Sequence, residues 1–306
     1  MSRSEKGALQ ARLEGAVWGH LVGDALGVPN EFLPPDRIGI VEFRGGGTYN
    51  QPAGTWSDDG ALMLALLDSL TSVGFDPTDQ GANALAWADS GTYAPGARVF
   101  DIGGTTSRAM DRLREGVPAV DAGPSDDGDC GNGSLMRILP IALVGRNLPD
   151  SELVAHAHAA SRVTHGHPRA QAACAVYVLI ARELLSGETD AAAVFAASLE
   201  RYRGISGAHL EALIELELHR PVRHGRAYVL NTFWSAWEAY STTESYRDCV
   251  VTAVKYGHDT DTTACIAGGL AGIRWGIEGV PQEWLTQMRG REIAHPLIER
   301  LVKDVT

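Results

Sequence analysis

The chain has 306 residues, 44% of them apolar, and a formal net charge of −12, which allows a substantial globular core. Its 26 basic residues form no cluster against 38 acidic ones, which argues against broad binding to nucleic acid or to an anionic membrane surface; an anionic small molecule would need metal ions or helix N-termini to receive it. The opening MSRSEKGALQARLEG lacks the apolar stretch of a signal peptide and no apolar run reaches about 18 residues, so a soluble cytoplasmic protein with no membrane partner is expected.

In chain order, residues 8–26 place Leu9, Leu13, Val17, Leu21 and Asp24 three and four apart, one face of a helix. Asp24 on or beside that stripe is either a carboxylate paired behind a ligand shell or a partly exposed helix end next to Gly27. VPNEFLPPDRIG is a Pro-punctuated loop carrying Glu31, and RIGIVEFRGG has the composition of a short strand. Helices are expected at 60–73 and 79–94, followed by a loop from 97 that runs into a helix ending near 114. At that junction Gly103, Gly104, Thr105 and Thr106 expose backbone N–H groups that can hold a phosphate, although most Gly-Gly steps are only turns.

Residues 116–134 are loop-like, rich in Gly, Asp and Pro. After them Asn132, Gly133 and Ser134 stand where a helix is expected to begin. From 151 onward the pattern is helical at 151–163, 168–186, 190–202, 207–219, 225–241, 245–256 and 262–277, with Ala and Gly frequent enough for close helix contacts. Strand signals are few and no Gly/Ser linker interrupts the chain, so an all-α fold is expected: one compact irregular multi-helix bundle over 1–306. Cys130, Cys174, Cys249 and Cys265 form no C-x-x-C pair and read as reduced, buried thiols. In THGHP at 164–168 a neutral, hydrogen-bonded His or a structural one at a helix start is the simpler reading than a transition-metal ligand.

Two stretches concentrate hard oxygen donors. In GTWSDDGALMLALLDSL at 54–70, Ser57, Asp58 and Asp59 precede an apolar helix; in YGHDTDTTACIAGGLAGIRWG at 256–276, Asp259, Asp261, Thr260, Thr262 and Thr263 do the same. Each motif alone reads as an N-cap favoured by the helix dipole. Together they place four carboxylates at two helix starts, more than capping needs, and Mg²⁺ and Mn²⁺ favour such ligands. Another Ser-Asp-Asp at 125–127 begins no apolar helix and reads as solvated.

These stretches resemble the ADP-ribosylglycohydrolase family. The likeness covers nearly the whole chain and is carried by GDALGVPNEF at 23–32, GTWSDDGALMLAL at 54–66, DIGGTT at 101–106, GNGSLMRILPIAL at 131–143, SRVTHGHPRA at 161–170 and GHDTDTTACIAGGLAG at 257–272. The resemblance implies an all-α fold with a central dinuclear Mg²⁺ or Mn²⁺ site and cleavage of the glycosidic bond at the anomeric carbon of ADP-ribose. Carried over by motif, it makes Ser57, Asp58, Asp59, Asp259, Asp261 and Thr262 the metal ligands, Ser57 standing where Thr is frequent. Glu31 is implied as acid/base, with Asp59 second, and Asp101 as an acid on the substrate side. Gly103, Gly104, Asn132, Gly133, Ser134 and His165 fall on stretches that hold the diphosphate and ribose.

The elementary chemistry agrees, since four carboxylates raise one another's pKa unless cations compensate them, and two divalent ions would do so. The expected partners are ADP-ribose and an ADP-ribosylated protein, with arginine the first choice of modified side chain. Serine-linked, O-acetyl or nucleobase-linked ADP-ribose, and binding without turnover, are the alternatives, and a monomer is the simplest assembly. DTDTT also fits the Asp-x-Asp-x-Thr of haloacid-dehalogenase-type phosphatases, but it lacks that pattern's early strand.

Overall fold

A computed structural model describes residues 2–205, 207–219 and 225–305. Among them are fifteen α-helices and no strand: α1 Arg3–Gly27, α2 Asp58–Ser72, α3 Pro77–Ser90, α4 Gly104–Arg114, α5 Ala119–Ala122, α6 Leu139–Val144, α7 Asp150–Arg162 and α8 Pro168–Ser186. They continue with α9 Ala191–Arg203, α10 Leu210–Leu218, α11 Val229–Ser241, α12 Tyr246–Lys255, α13 Thr260–Gly279, α14 Gln282–Gln287 and α15 Arg291–Val305. The all-α expectation holds. One hydrophobic cluster runs from Leu9 to Leu301, and among the described residues no helix is long and apolar enough to cross a membrane.

The frame of the fold is the pair α1 and α13. On α1, Gly15, Gly19, Gly23 and Gly27 recur every fourth residue and so form one stripe along the helix. A Cβ at these positions would lie 2.3 Å from Gly272 O, 2.5 Å from Gly268 O, 2.3 Å from Ala264 O and 2.2 Å from Asp261 Cα. Side chains there are impossible without separating the helices, so backbone meets backbone along the whole stripe. Thr260 Oγ1 then donates to Gly27 O at 2.8 Å, which pins the start of α13 to the end of α1.

A second contact fixes α2. Both oxygens of Asp24, fully buried on α1, accept from Ser57 N at 2.9 and 3.0 Å, and one also accepts from Gly60 N at 2.7 Å. Asp24 is thus a cap for another helix, satisfying the backbone donors that a helix start leaves free; it is not the partly exposed helix end allowed by the sequence. Behind this start, α2 is buried almost all round, as expected for a helix at the centre of a core.

Several expectations need correction. RIGIVEFRGG forms no strand: Ile40 is 80% exposed, and the only pairing nearby is the isolated bridge between Gly46 and Gln51. The helix expected over 79–94 stops at Ser90, because Gly91 takes φ 69° and its N–H returns to Trp87 O at 2.8 Å, a left-handed stop. No helix starts at 132–134; the chain turns there and α6 begins at Leu139 with Pro140 in its first turn, where a missing N–H costs nothing. α15 goes unannounced by the sequence, since Pro296 interrupts its pattern; burial of Ala294, Leu297, Ile298 and Leu301 on one face holds it together. All four cysteines are buried and free.

Candidate active site

The starts of α2 and α13 meet beside the end of α1, so the two acidic motifs converge on one place. Asp59 Oδ2 accepts from Ser57 Oγ at 3.0 Å and Asp59 Oδ1 from Cys265 Sγ at 3.0 Å. Asp261 Oδ1 accepts from Thr262 N at 3.0 Å. Asp259 Oδ2 accepts from Asn132 Nδ2 at 2.7 Å, which brings the 131–134 turn to the same point.

The loop after α1 adds a fifth acid. Phe32 N donates to His258 O at 2.6 Å and His258 N to Leu33 O at 2.8 Å. Phe32 and His258 both have positive φ, 65° and 61°, an uncommon conformation for non-glycine residues that clusters where structure is held for function. This reciprocal pairing sets Glu31 against the α13 start. Asp101, again at positive φ (64°), arrives from the loop before α4 and accepts from the Tyr49 hydroxyl. One oxygen each from Glu31, Asp101 and Asp261 lie within 4.8 Å of one another, the spacing a single cation needs. Asp59 and Asp259 lie outside that trio but near enough for their charges to act on it, and Asp58 in turn feels the charges of Asp101 and Glu31.

The electrostatics follow from burial without compensation. Burial, and then the neighbouring charges of Asp101, Asp259 and Asp59, push the Glu31 carboxyl up to about 10. Asp59 rises to about 7 through burial and then Asp259. Asp101 rises to about 6 through burial, opposed by the Tyr49 hydroxyl. Asp24, Asp58, Asp259 and Asp261 are shifted upward too, in each case chiefly by burial. Among the described residues none of these acids makes an ion pair, and Glu31 Oε2 and Asp261 Oδ2 are buried with no hydrogen-bond partner. Acceptor-only groups orphaned in this way fit divalent cations.

A cavity of about 510 Å³ opens from this cluster. Glu31, Asp58, Asp101, Asp259 and Thr262 line it, as do Gly103, Gly104, Asn132, Gly133 and His165. Ser57, Asp59 and Asp261 are nearly fully buried and do not line it. Gly103 caps α4 with no side-chain hydrogen bond, so the first backbone N–H groups of that helix are free to meet an anion. Gly133 is tightly held, as a Cβ there would lie 2.7 Å from His165 Cε1.

Ser134 is the expected site residue that the structure moves elsewhere. Its fully buried Oγ accepts from Ser161 Oγ at 2.9 Å and from Cys174 Sγ at 3.4 Å, so it faces the core. The second histidine of THGHP, His167, caps α8 by accepting from Arg169 N at 3.1 Å; elsewhere, His158 Nε2 lies 3.0 Å from Tyr202 Oη. The Ser125-Asp126-Asp127 triplet is exposed, as expected. Sequence reasoning misses Phe32, Tyr49, Arg226 and His258. Their positions depend on loop pairings and positive-φ turns that no periodicity announces.

A model of the family described as ADP-ribosylglycohydrolase matches residues 5–306. The chain is 31% identical over 290 residues to an ADP-ribosyl-(dinitrogen reductase) glycohydrolase of Rhodospirillum rubrum, covering 90% of each chain. It is also 31% identical over 295 residues to the ADP-ribosylarginine hydrolase Tri1 of Pseudomonas putida (strain GB-1), covering 95% of this chain and 77% of that one. A solved structure titled "ADP-ribosylglycohydrolase-related protein complex" superposes with a TM-score of 0.83 at 33% identity, covering 98% of this chain and 100% of that one.

Proposed function

The chain belongs to the ADP-ribosylglycohydrolase family, and we propose that it hydrolyses the glycosidic bond between ADP-ribose and a protein side chain, with arginine as that side chain. The observation that carries the reading is the polarity of the cavity. Its lining joins a set of buried carboxylates without cationic partners to free backbone N–H groups at the start of α4 and a glycine turn. A molecule with a sugar diol at one end and a diphosphate a few bonds away matches both. Arginine as the modified side chain is favoured by the likeness to an ADP-ribosylarginine hydrolase and by the acids at the reacting end, which suit a cationic guanidinium.

Asp58, Asp59, Asp259 and Asp261, with the hydroxyls of Ser57 and Thr262, are the groups we assign to two Mg²⁺ or Mn²⁺ ions. Such ions, when bound, supply positive charge that orients hydroxyl groups and lowers the pKa of water. The remaining work belongs to the chain itself. Asp24 fixes the start of α2 through Ser57 N and Gly60 N, which holds Asp58 and Asp59 in place. Asn132 orients Asp259, and Cys265 orients Asp59.

Glu31, buried and set against the start of α13 by the pairing of Phe32 and Leu33 with His258, is the first choice to move a proton at the bond that breaks. Tyr49 holds Asp101 beside it. Positive charge developing on the ribose ring at an oxocarbenium-like transition state would meet these acids. The diphosphate would rest on the N–H groups around Gly103, Gly104 and Gly133, which helps an acidic protein hold an anion.

The test is release of free ADP-ribose from arginine-linked and serine-linked ADP-ribosyl peptides, with Mg²⁺ or with EDTA, using wild type and Asp261→Ala. Metal-dependent release from the arginine-linked peptide, lost in the variant, is the expected result. Better cleavage of the serine-linked peptide would move the leaving group, and ADP-ribose binding with no cleavage of any ADP-ribosyl linkage would overturn the hydrolase.

A further inference from the structure

His165 stands between the cavity and a buried cation. On the cavity side its ring lies against the glycine turn: a Cβ at Gly131 would be 3.3 Å from Nε2, and one at Gly133 2.7 Å from Cε1. On the core side Nδ1 is 3.0 Å from Thr164 Oγ1. That same hydroxyl oxygen accepts from Arg137 Nη2 at 2.8 Å. The guanidinium also donates to Ala160 O at 2.8 Å. Thr164 is fully buried and Arg137 nearly so, and Arg137 makes no ion pair among the described residues.

The direction of each bond comes from donor chemistry. A guanidinium only donates, so Thr164 Oγ1 is the acceptor from Arg137 and its single hydrogen is left for another partner. The neighbour in reach is His165 Nδ1. Were Nδ1 protonated, the hydroxyl oxygen could accept from it as well, but the buried hydroxyl's own hydrogen would then have no acceptor, which is costly. Nδ1 is therefore the acceptor, and in a neutral ring the hydrogen sits on Nε2.

We infer that Arg137, acting through the Thr164 hydroxyl, locks His165 in its neutral Nε2–H form and so makes it a fixed hydrogen-bond donor to an anionic group seated on the 131–133 turn. Arg137 and Thr164 are positioning residues, since neither lines the cavity. Burial and then the Arg137 charge hold the imidazole down near about 3, with Asp129 opposing and Arg108 adding to the effect, so the ring stays neutral at physiological pH. The neutral ring therefore brings direction to the site and no charge of its own. Only the identity of the anion, a diphosphate, rests on the function proposed above.

The experiment reads the ring itself and then the ligand. Two-bond ¹H–¹⁵N spectra of the labelled full chain assign the His165 tautomer without any substrate, and calorimetry with ADP as the probe measures binding. Wild type should show the neutral Nε2–H ring. Thr164→Val, which removes the hydroxyl at constant shape, should give mixed tautomers and bind ADP about tenfold more weakly, the scale of one lost polar contact, with Thr164→Ser restoring both. An Nδ1–H ring or an imidazolium in wild type overturns the inference, as does a folded Thr164→Val that keeps the wild-type ring state and affinity. If Thr164→Val does not fold, the wild-type spectrum alone decides. Because the spectrum needs no turnover, a failure of the hydrolase reading leaves it intact and is told apart from it.

Discussion

The tripeptide Ser-Asp-Asp occurs at 57–59 and again at 125–127, with opposite fates. In the first, Asp58 and Asp59 are 5% and 1% exposed at the head of α2. In the second, the Asp127 side chain is 97% exposed and, among the described residues, its ion-pair partners are His167 at 3.5 Å and Arg169 at 3.8 Å. The residues immediately after each triplet make the difference. ALMLALL after Gly60 forces a helix into the core and drags its first turn inside, where Asp24 receives it; GDCG after Asp127 carries no apolar run, and although Asp129 and Cys130 are buried the triplet before them stays outside. An acid acquires unusual chemistry from loss of water around it, and neighbouring apolar residues decide that loss.

The sharpest way to test this contrast is through activity. Asp58→Asn should lower release of ADP-ribose on the order of a thousandfold, the scale of several kcal/mol that a metal site contributes, whereas Asp127→Asn should leave the rate as in wild type. Equal losses would mean that burial is not what separates the two triplets. A structural blow to the frame comes next. Gly23→Val puts a side chain where a Cβ already lies 2.3 Å from Ala264 O, and it should cost about 1–3 kcal/mol in urea denaturation while also weakening divalent-ion binding; unchanged stability would show that the helices can separate freely.

The acids at the head of α2 should also write a pH signature. In metal-free protein Asp59 keeps its proton up to about 7, against 3.8 for the same group in an unfolded chain. Between those values this group binds more protons in the folded state, so its contribution to stability falls as pH rises through that window and is gone above it. Denaturation of the EDTA-treated protein across this range should show the decline. Asp59→Asn should flatten it, and Mg²⁺ should offset it at the alkaline end. A slope untouched by Asp59→Asn would remove that residue from the explanation. The smallest effect is the control: Asp126→Asn with Asp127→Asn should shift stability by no more than about 0.5 kcal/mol.

Legibility in the sequence obeys the same divide between burial and exposure. α8 is clear because Pro168 comes after a capping His167 and Gly187 ends it at φ 101°, three local signals in agreement. The two acidic helix starts are clear because a polar cluster abuts an apolar run. Ser134 is misplaced when its stretch is taken as a unit, and only the packing reveals that its hydroxyl turns toward Ser161 and Cys174. The approach of Glu31 to Asp261 is hidden in the exchange of hydrogen bonds between Phe32, Leu33 and His258, a pairing between distant loops. RIGIVEFRGG resembles a strand because β-rich composition says nothing about whether a partner strand exists.

The glycine stripe on α1 bears on how the protein is born. Its counterpart is α13, and Thr260 and Gly27, which meet there, are 233 positions apart. During synthesis the first helix leaves the ribosome with its stripe bare and must wait for most of the chain before anything can cover it. Contacts of such long range slow folding, and the interval leaves an apolar helix open to chaperones or to wrong partners. It also means that the two acidic motifs cannot meet in a growing chain, so the site comes into being in one late step, when the last part of the bundle closes on the first.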